Sequence, residues 1–193
     1  MKKFYYMMLV VFASMMMTSC HDGDVERSIN LSGSWNGNLN MYYGFYDRHG
    51  EYWEVDAVES DIVFYPDYDY ATHGYGKQVD WYDAGPYERQ YYHFDWEIHN
   101  GIIYLDYPYD PELNTAIYDY RMDRDYFSGY FEGSKFKFRL RKIADYYDWS
   151  CYHDNYMYWN DPYWKPETRS AEADEDQGTT EVTVVKRGRR VVE

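Results

Sequence analysis

Apolar and polar residues alternate along most of the chain between Leu31 and Ile143. The alternation is cleanest in the segment YYHFDWEIH, where aromatic and aliphatic side chains fall on one face and mostly charged or His side chains on the other. A two-residue period is typical of a strand with one buried face. The pair Asn100-Gly101 follows, which tolerates the positive φ angles of a type I′ turn, and IIYLDY then resumes the alternation. This stretch predicts a β-hairpin.

The same pattern predicts further strands on both sides of this hairpin. They are expected at 33–43, at 52–64 with a break or bulge at 59–61, at 75–81, at 118–122, at 127–131 and at 136–141. About eight short strands joined by short turns favour an all-β domain at 31–143, and closure of the sheet removes its exposed edges. We therefore predict a small up-and-down antiparallel β-barrel with no helix before Ile143.

The chain changes character after the last predicted strand. Residues 144–166 form an aromatic and acidic extension, for which a short helix and an ordered loop both remain open. Residues 167–193 begin with an acidic stretch that has few large apolar residues, which predicts a disordered tail. The tail carries a basic cluster near its end: Lys186, Arg187, Arg189 and Arg190.

The N-terminus has the pattern of a secretory signal. Two lysines precede the apolar stretch Phe4–Met17, which is shorter than the roughly 20 residues that a membrane span needs. The following Thr18-Ser19-Cys20 resembles the lipobox of bacterial lipoproteins, although Met17 stands where Leu is usual. This resemblance implies a signal peptide at 1–19 and lipid attachment at Cys20. The polar residues 20–30 are then expected to form a flexible tether.

Acidic residues behind the lipidated Cys resemble the export signal of surface lipoproteins in Bacteroidetes-type bacteria, and Asp22 and Asp24 fit that pattern. A solvated linker explains them equally well. The resemblance implies an outer-membrane lipoprotein of the cell envelope, and it leaves open whether the protein faces the periplasm or the cell surface.

Charge and cysteine content narrow the functional classes. The formal net charge is −15, and it becomes −17 if residues 1–19, which include two lysines and no acidic residue, are removed. Phosphate binding needs clustered Lys and Arg, so we do not expect nucleic acid as a partner. With Cys20 acylated, Cys151 would have no partner for a disulfide, and we interpret it as a small packing residue.

No arrangement of residues in the sequence carries a strong catalytic or metal-binding signature. The six His residues are scattered without ligand spacing, and carboxylate pairs discriminate nothing in so acidic a chain. We predict no metal, no cofactor and no enzymatic activity.

The aromatic content is the most informative excess, with 27 Tyr, 7 Trp and 9 Phe. Many of these rings should fill the barrel: Trp35, Phe64, Tyr92, Phe94, Trp96, Tyr118, Tyr120, Phe127, Phe136 and Phe138. Others, such as Trp53, Trp81 and Tyr91, are expected on the surface, where amphipathic rings stack on sugars or anchor partners. High strand propensity of Tyr explains outward rings as well.

Short motifs resemble lipocalin-like domains, including those of secreted Bacteroidetes lipoproteins. They are Leu31-Ser32-Gly33-Ser34-Trp35, the hairpin residues Phe94, Trp96, Ile98 and Gly101, the run Phe127-Ser128-Gly129, and Phe136, Phe138, Leu140 and Lys142. The resemblance implies that Gly33 and Trp35 lie at the closed end of a barrel. It also implies that Arg139 or Arg141 stacks on the Trp35 ring, as a guanidinium can on an indole.

Together these features predict a monomeric, lipid-anchored envelope protein with a non-enzymatic binding role. The first hypothesis is recognition of a glycan or a protein partner through surface aromatics. The alternative is a lipocalin-like carrier that holds a small apolar ligand inside the barrel.

Overall fold

The computed structural model describes residues 19–144 and 184–190, with side chains for 23–143 and 186–190. These residues form one α-helix, α1 (Ser19–Leu31), and a 3-10 turn at Pro111–Leu113. The strands are β1 (Gly33–Asn38), β2 (Met41–Tyr46), β3 (Tyr52–Asp56), β4 (Glu59–Pro66), β5 (His73–Trp81), β6 (Arg89–His99), β7 (Ile102–Asp106), β8 (Thr115–Met122), β9 (Tyr126–Phe131), β10 (Lys137–Ala144) and β11 (Val184–Arg189).

Eight of these strands close into an antiparallel barrel in the order β1-β10-β9-β8-β7-β6-β5-β4. β1 closes it by pairing with β10 on one side and β4 on the other. The prediction of an all-β fold with a closed barrel is confirmed, and the barrel is compatible with a lipocalin-like fold. The predicted hairpin is β6–β7, with Asn100 at φ 53° and Gly101 at φ 75°.

Two predicted strands are each broken into two. The strand expected at 33–43 ends at Asn38, because Asn40 adopts φ 57° and its N–H donates to the Asn38 side chain over 2.6 Å. The strand expected at 52–64 breaks at Ala57–Val58, two residues before the expected irregularity. The hairpin of β2 and β3 therefore leaves the barrel between β1 and β4.

β2 and β3 join β11 in a second sheet, which we call the cap sheet (order β11-β2-β3). β11 lies within the tail that was predicted to be disordered, so the structure differs from that prediction at Val184–Arg189. The charges of the basic cluster explain why this strand docks. Arg190 forms ion pairs with Glu54 and Asp56 of β3, the latter at 2.6 Å, and Lys186 approaches Glu54 at 3.6 Å.

α1 replaces the flexible tether predicted at 20–30. The Asp24 carboxylate is buried, and its Oδ1 accepts the N–H of Gly101 at 2.9 Å and the guanidinium of Arg27 at 3.0 Å. Asp24 thus holds the helix on the β6–β7 turn. The two-residue period predicts strands, and polar composition predicted the tether. Neither signal detects a short polar helix that is ordered by such tertiary contacts.

Aromatic rings fill the barrel interior largely as predicted. Trp35, Phe64, Tyr92, Phe94, Trp96, Phe127 and Phe138 are buried, and Tyr120 and Phe136 pack against them. Inward glycines make room for the rings: a Cβ at Gly76 would come within 2.1 Å of the Phe94 ring. The inward placement of Tyr118 is wrong, because a bulge with Asp119 at φ 46° turns Tyr118 outward and Tyr120 inward.

The barrel has two distinct ends. α1 covers one, where the β6–β7 turn and the β4–β5 connection lie, and we call it the α1 end. The cap sheet covers the other, where Tyr43 packs its ring 4.5 Å from Tyr82, and we call it the cap end. Residues 1–18 and 145–183 lie outside the described residues, and with them most of the predicted signal peptide, the aromatic extension and Cys151.

Candidate functional site

The predicted structural motif lies toward the α1 end. Gly33 opens β1 with φ 109°, and the Trp35 side chain is fully buried. Its indole Nε1 donates to the Leu31 carbonyl at 2.8 Å, and its ring meets Phe127 edge-on with centroids 5.7 Å apart. The motif joins the helix to the barrel core, which is an architectural role.

The stacking of Arg139 or Arg141 on Trp35 is wrong. The cation over the Trp35 ring is Lys142, with Nζ 5.2 Å from the centroid, whereas Arg139 lies over Tyr126 at 4.0 Å and Arg141 is exposed. Strand register explains the exchange, because Lys142 is directly opposite Trp35. Phe138 and Leu140 face inward, so Lys142 shares their face and the two arginines do not.

The predicted lipid-attachment residue, Cys20, is the second residue of α1. Its side chain lies outside the described residues. Within the described part of the chain, no helix has the length and apolar character needed to cross a membrane.

The surface aromatics are partly where they were expected. Trp53 is 53% exposed, whereas Trp81 and Tyr91 are half-buried against Val63 and Val79 on the outer wall. The most exposed other rings are Tyr46, Tyr52, Tyr68, Tyr70, Tyr75, Tyr104, Tyr109 and Tyr126.

A depression of about 620 Å³ lies on the outer wall across β5, β6 and β7, and we call it the wall depression. Its lining comprises Asp67, His73, Gly74, Asp95, Trp96, Glu97, Tyr104 and Asp106. Strand register places these residues side by side, with Glu97 opposite both His73 and Tyr104, and Asp95 opposite Asp106. The depression thus combines one exposed phenol ring with a row of carboxylates.

Two carboxylates of the wall depression have polar side chains beside them. His73 Nε2 lies 3.4 Å from Asp67, and Asn114 donates to Asp106 at 2.6 Å. Like charges directly opposite on neighbouring strands, as Asp95 and Asp106 are, destabilise a sheet. The outward face here is therefore poorly explained by strand stability alone.

The cap end holds a buried polar network on the inner wall. Tyr107 donates its hydroxyl proton to Gln78 Oε1 at 2.8 Å, and Gln78 Nε2 donates to Asp80 Oδ1 at 2.9 Å. Ser60 donates to the same Asp80 oxygen at 2.6 Å. All four side chains are at most 1% exposed, so the network is out of contact with solvent.

Asp80 is the carboxyl group of this network, and its pKa is strongly shifted. Burial raises its pKa to about 7, against the hydrogen bonds from Ser60 and Gln78 and the positive charge of Arg189, which lower it. Its second oxygen, Oδ2, has no hydrogen-bond partner among the described residues. Burial also raises the pKa of Tyr107 to about 12 and the pKa of Tyr92 well above its usual value.

β11 adds two arginines to the same end. Arg187 forms an ion pair with Asp110 at 2.6 Å, with 15% of each side chain exposed. The Arg189 guanidinium lies over the Phe131 ring, 3.9 Å from its centroid. We call Ser60, Gln78, Asp80, Tyr92, Tyr107, Arg187 and Arg189 together the cap-end cluster.

Sequence reasoning missed this cluster, although two signals for it were present. In β5 the segment GYGKQVDW alternates, and its inward positions near the end are Gln78 and Asp80, which a pattern of apolar core positions overlooks. Arg187 and Arg189 belong to the basic cluster near the end of the chain, and their two-residue spacing also indicates one face of a strand.

Comparisons with protein-family models, with curated proteins and with solved structures gave no match to this chain. In the described part of the chain, no group of three or more His, Cys, Asp or Glu side chains is placed to hold a metal ion. The wall depression and the cap-end cluster are therefore the two candidate sites among the described residues.

Proposed function

We propose that this protein is a lipid-anchored cell-envelope protein that binds a neutral glycan, without catalysis, at the wall depression. The observation that carries the proposal is the lining of the depression, in which the exposed Tyr104 ring stands among carboxylates. Its volume of about 620 Å³ falls within the range of small-ligand sites.

The chemistry of the lining fits a sugar. An aromatic face covers the apolar C–H side of a pyranose, and carboxylates such as Asp95 and Glu97 accept hydrogen bonds from its hydroxyl groups. The excess of negative charge disfavours sulfated or uronic-acid polymers, because like charges repel at this surface. Neutral oligosaccharides are therefore the class that the depression supports best.

Isothermal titration with neutral tetrasaccharides tests this proposal, using cellotetraose, maltotetraose, mannotetraose and chitotetraose. We expect at least one to bind the full chain, and Tyr104→Ala to weaken that binding about fivefold, since stacking on a ring contributes roughly 1 kcal/mol. Tyr126→Ala removes another exposed tyrosine from a different part of the wall and should leave binding unchanged. Equal binding by the Tyr104 and Tyr126 variants would contradict the site.

The envelope location rests on the N-terminal pattern and on the position of Cys20. Acylation there would attach lipid to the first turn of α1, on the helix that covers the α1 end. The barrel would then stand close to the bilayer, with its cap end directed away from it. This arrangement supports an outer-membrane lipoprotein that offers its wall and cap to the surroundings.

Fractionation of producing cells tests the anchor. Cys20→Ala should move the protein from the membrane fraction to the soluble fraction, because acyl chains contribute about 0.8 kcal/mol per buried methylene to membrane binding. Cys151→Ala is the matched control and should remain with the membrane. Membrane association that survives loss of Cys20 would refute lipid attachment at this residue.

A further inference from the structure

Asp80 brings an unsatisfied oxygen to the cap end. The side chain is 0% exposed, and its Oδ1 already accepts hydrogen bonds from Ser60 and Gln78. Oδ2 lies on the other side of the carboxyl group and has no hydrogen-bond partner in the described ranges. Most buried polar atoms in folded proteins have a hydrogen-bond partner, because burying one without a partner is unfavourable. Asp80 Oδ2 is therefore available to accept a hydrogen bond from a bound molecule.

Arg189 brings the complementary feature from β11. Its Nε and Nη2 atoms are buried and also lack hydrogen-bond partners among residues 23–143 and 186–190. These two atoms form one edge of the guanidinium, where the two N–H bonds are parallel and match the two oxygens of a carboxylate. The Phe131 ring contacts the guanidinium, with its centroid 3.9 Å from Arg189 Cζ.

Asp80 and Arg189 interact electrostatically, although no hydrogen bond joins their side chains in the described part of the chain. The charge of Arg189 lowers the pKa of Asp80, so both lie in one electrostatic environment. In the described part of the chain no ion pair joins them, whereas the neighbouring Arg187 does pair with Asp110. Opposite charges buried near each other are costly unless hydrogen bonds satisfy both. A molecule between them would supply those bonds.

We propose that the cap-end cluster is a binding site for a small carboxylic acid that also carries a hydrogen-bond donor. The ligand's carboxylate accepts hydrogen bonds from the two N–H groups on the Nε–Nη2 edge of Arg189, and its hydroxyl or ammonium group donates a hydrogen bond to Asp80 Oδ2. This site is separate from the wall depression, and its occupant does not depend on glycan binding there.

The surrounding residues favour such a ligand over the other small molecules that a barrel can hold. Gln78, Tyr92 and Tyr107 give the cluster a polar lining, which suits a hydrogen-bonding ligand better than an apolar one. A phosphate would bring more negative charge next to Asp80. A monocarboxylate adds less negative charge than a phosphate does, and an amino acid, whose ammonium group cancels its carboxylate, adds no net charge.

Titration calorimetry on the full chain tests the proposal with five probes. Lactate and glycolate carry a carboxylate and a hydroxyl, glycine carries a carboxylate and an ammonium, acetate carries the carboxylate alone, and glycerol carries hydroxyls alone. We expect lactate and glycolate, or glycine, to bind at least about tenfold more tightly than acetate and glycerol. The group that binds identifies the donor as hydroxyl or ammonium.

Two variants assign the contacts. Arg189→Met should weaken binding of every carboxylate probe at least about tenfold, because it removes the fork and keeps much of the stem over Phe131. Asp80→Asn should abolish the preference for donor-bearing probes over acetate. Arg141→Met is the matched control, because Arg141 is exposed on β10 and lies outside the cap-end cluster, and it should bind as the unmodified chain does.

Three results would overturn the proposal. One is the absence of saturable binding of any carboxylate probe, which would mean that water alone meets the buried groups. The second is equal affinity for acetate and for the donor-bearing probes. The third is unchanged affinity in a folded Arg189→Met variant, with folding checked by its thermal unfolding curve.

Discussion

The two ends of the barrel are built from different chemistry. At the α1 end the large ring of Trp35 is buried, its N–H is satisfied by Leu31, and the charge of Asp24 is met by Arg27 and Gly101. At the cap end a buried carboxylate and a guanidinium edge remain unmet among the described residues. The charged groups named at the α1 end have partners among the described residues, whereas Asp80 Oδ2 and the Nε–Nη2 edge of Arg189 do not.

This difference supports the proposed binding site at the cap end. Polar groups that are buried at a cost are retained where they do something other than stabilise the fold. The α1 end therefore accounts for how the barrel is closed and attached to its helix. The cap end, which β11 and β2–β3 complete, is where a ligand would change the balance of charges.

The largest expected effect is at the α1 end. Trp35→Ala should lower the free energy of unfolding by about 3–5 kcal/mol, because it leaves a large cavity and removes the donor that meets Leu31. Urea denaturation measures the change. Trp53→Ala is the matched control on the cap sheet, and it should cost less than about 1 kcal/mol because 53% of that side chain is exposed. Equal losses in the two variants would contradict the role of Trp35 as a core residue.

The next effect is at the cap end and depends on pH. Folding raises the pKa of Asp80 from its ordinary value near 3.8 to about 7, so the folded state holds this proton more tightly than the unfolded state does. Its contribution to stability is therefore fully present below about pH 4 and declines as pH rises to about 7. The decline amounts to at most about 4 kcal/mol for a shift of this size.

Asp80→Asn removes this proton equilibrium while keeping an oxygen for Ser60 and Gln78. The free energy of unfolding of the variant, relative to the unmodified chain, should therefore rise between pH 4 and pH 7 and then level off. Urea denaturation at several pH values measures it, and carboxyls common to both proteins cancel in the difference. Parallel stability curves would mean that Asp80 keeps an ordinary pKa in the folded state.

The contrast between the ends also explains what the sequence could predict. The inward rings of β6 and the Asn100-Gly101 turn follow from a two-residue period and from backbone preferences, which are local properties. Asp80 and Arg189 lie at the same end of the barrel only because β11 pairs with β2, which is far from it in the sequence, and no local pattern encodes that pairing. The bulge at Asp119, which reversed Tyr118, likewise depends on pairing with β9.

The smallest expected effect concerns the cation on Trp35. Lys142→Met should cost about 1 kcal/mol in the free energy of unfolding, because it removes the ammonium over the indole ring and keeps the apolar stem. Arg141→Met changes a neighbouring cation that points outward from β10 and should change stability by less than about 0.5 kcal/mol. Urea denaturation of both variants in the same buffer measures the difference. A larger loss of unfolding free energy in the Arg141 variant than in the Lys142 variant would contradict the contact of Lys142 with Trp35. It would favour the arginine stacking expected from lipocalin-like domains, which requires the register of β10 against β1 to shift by one residue.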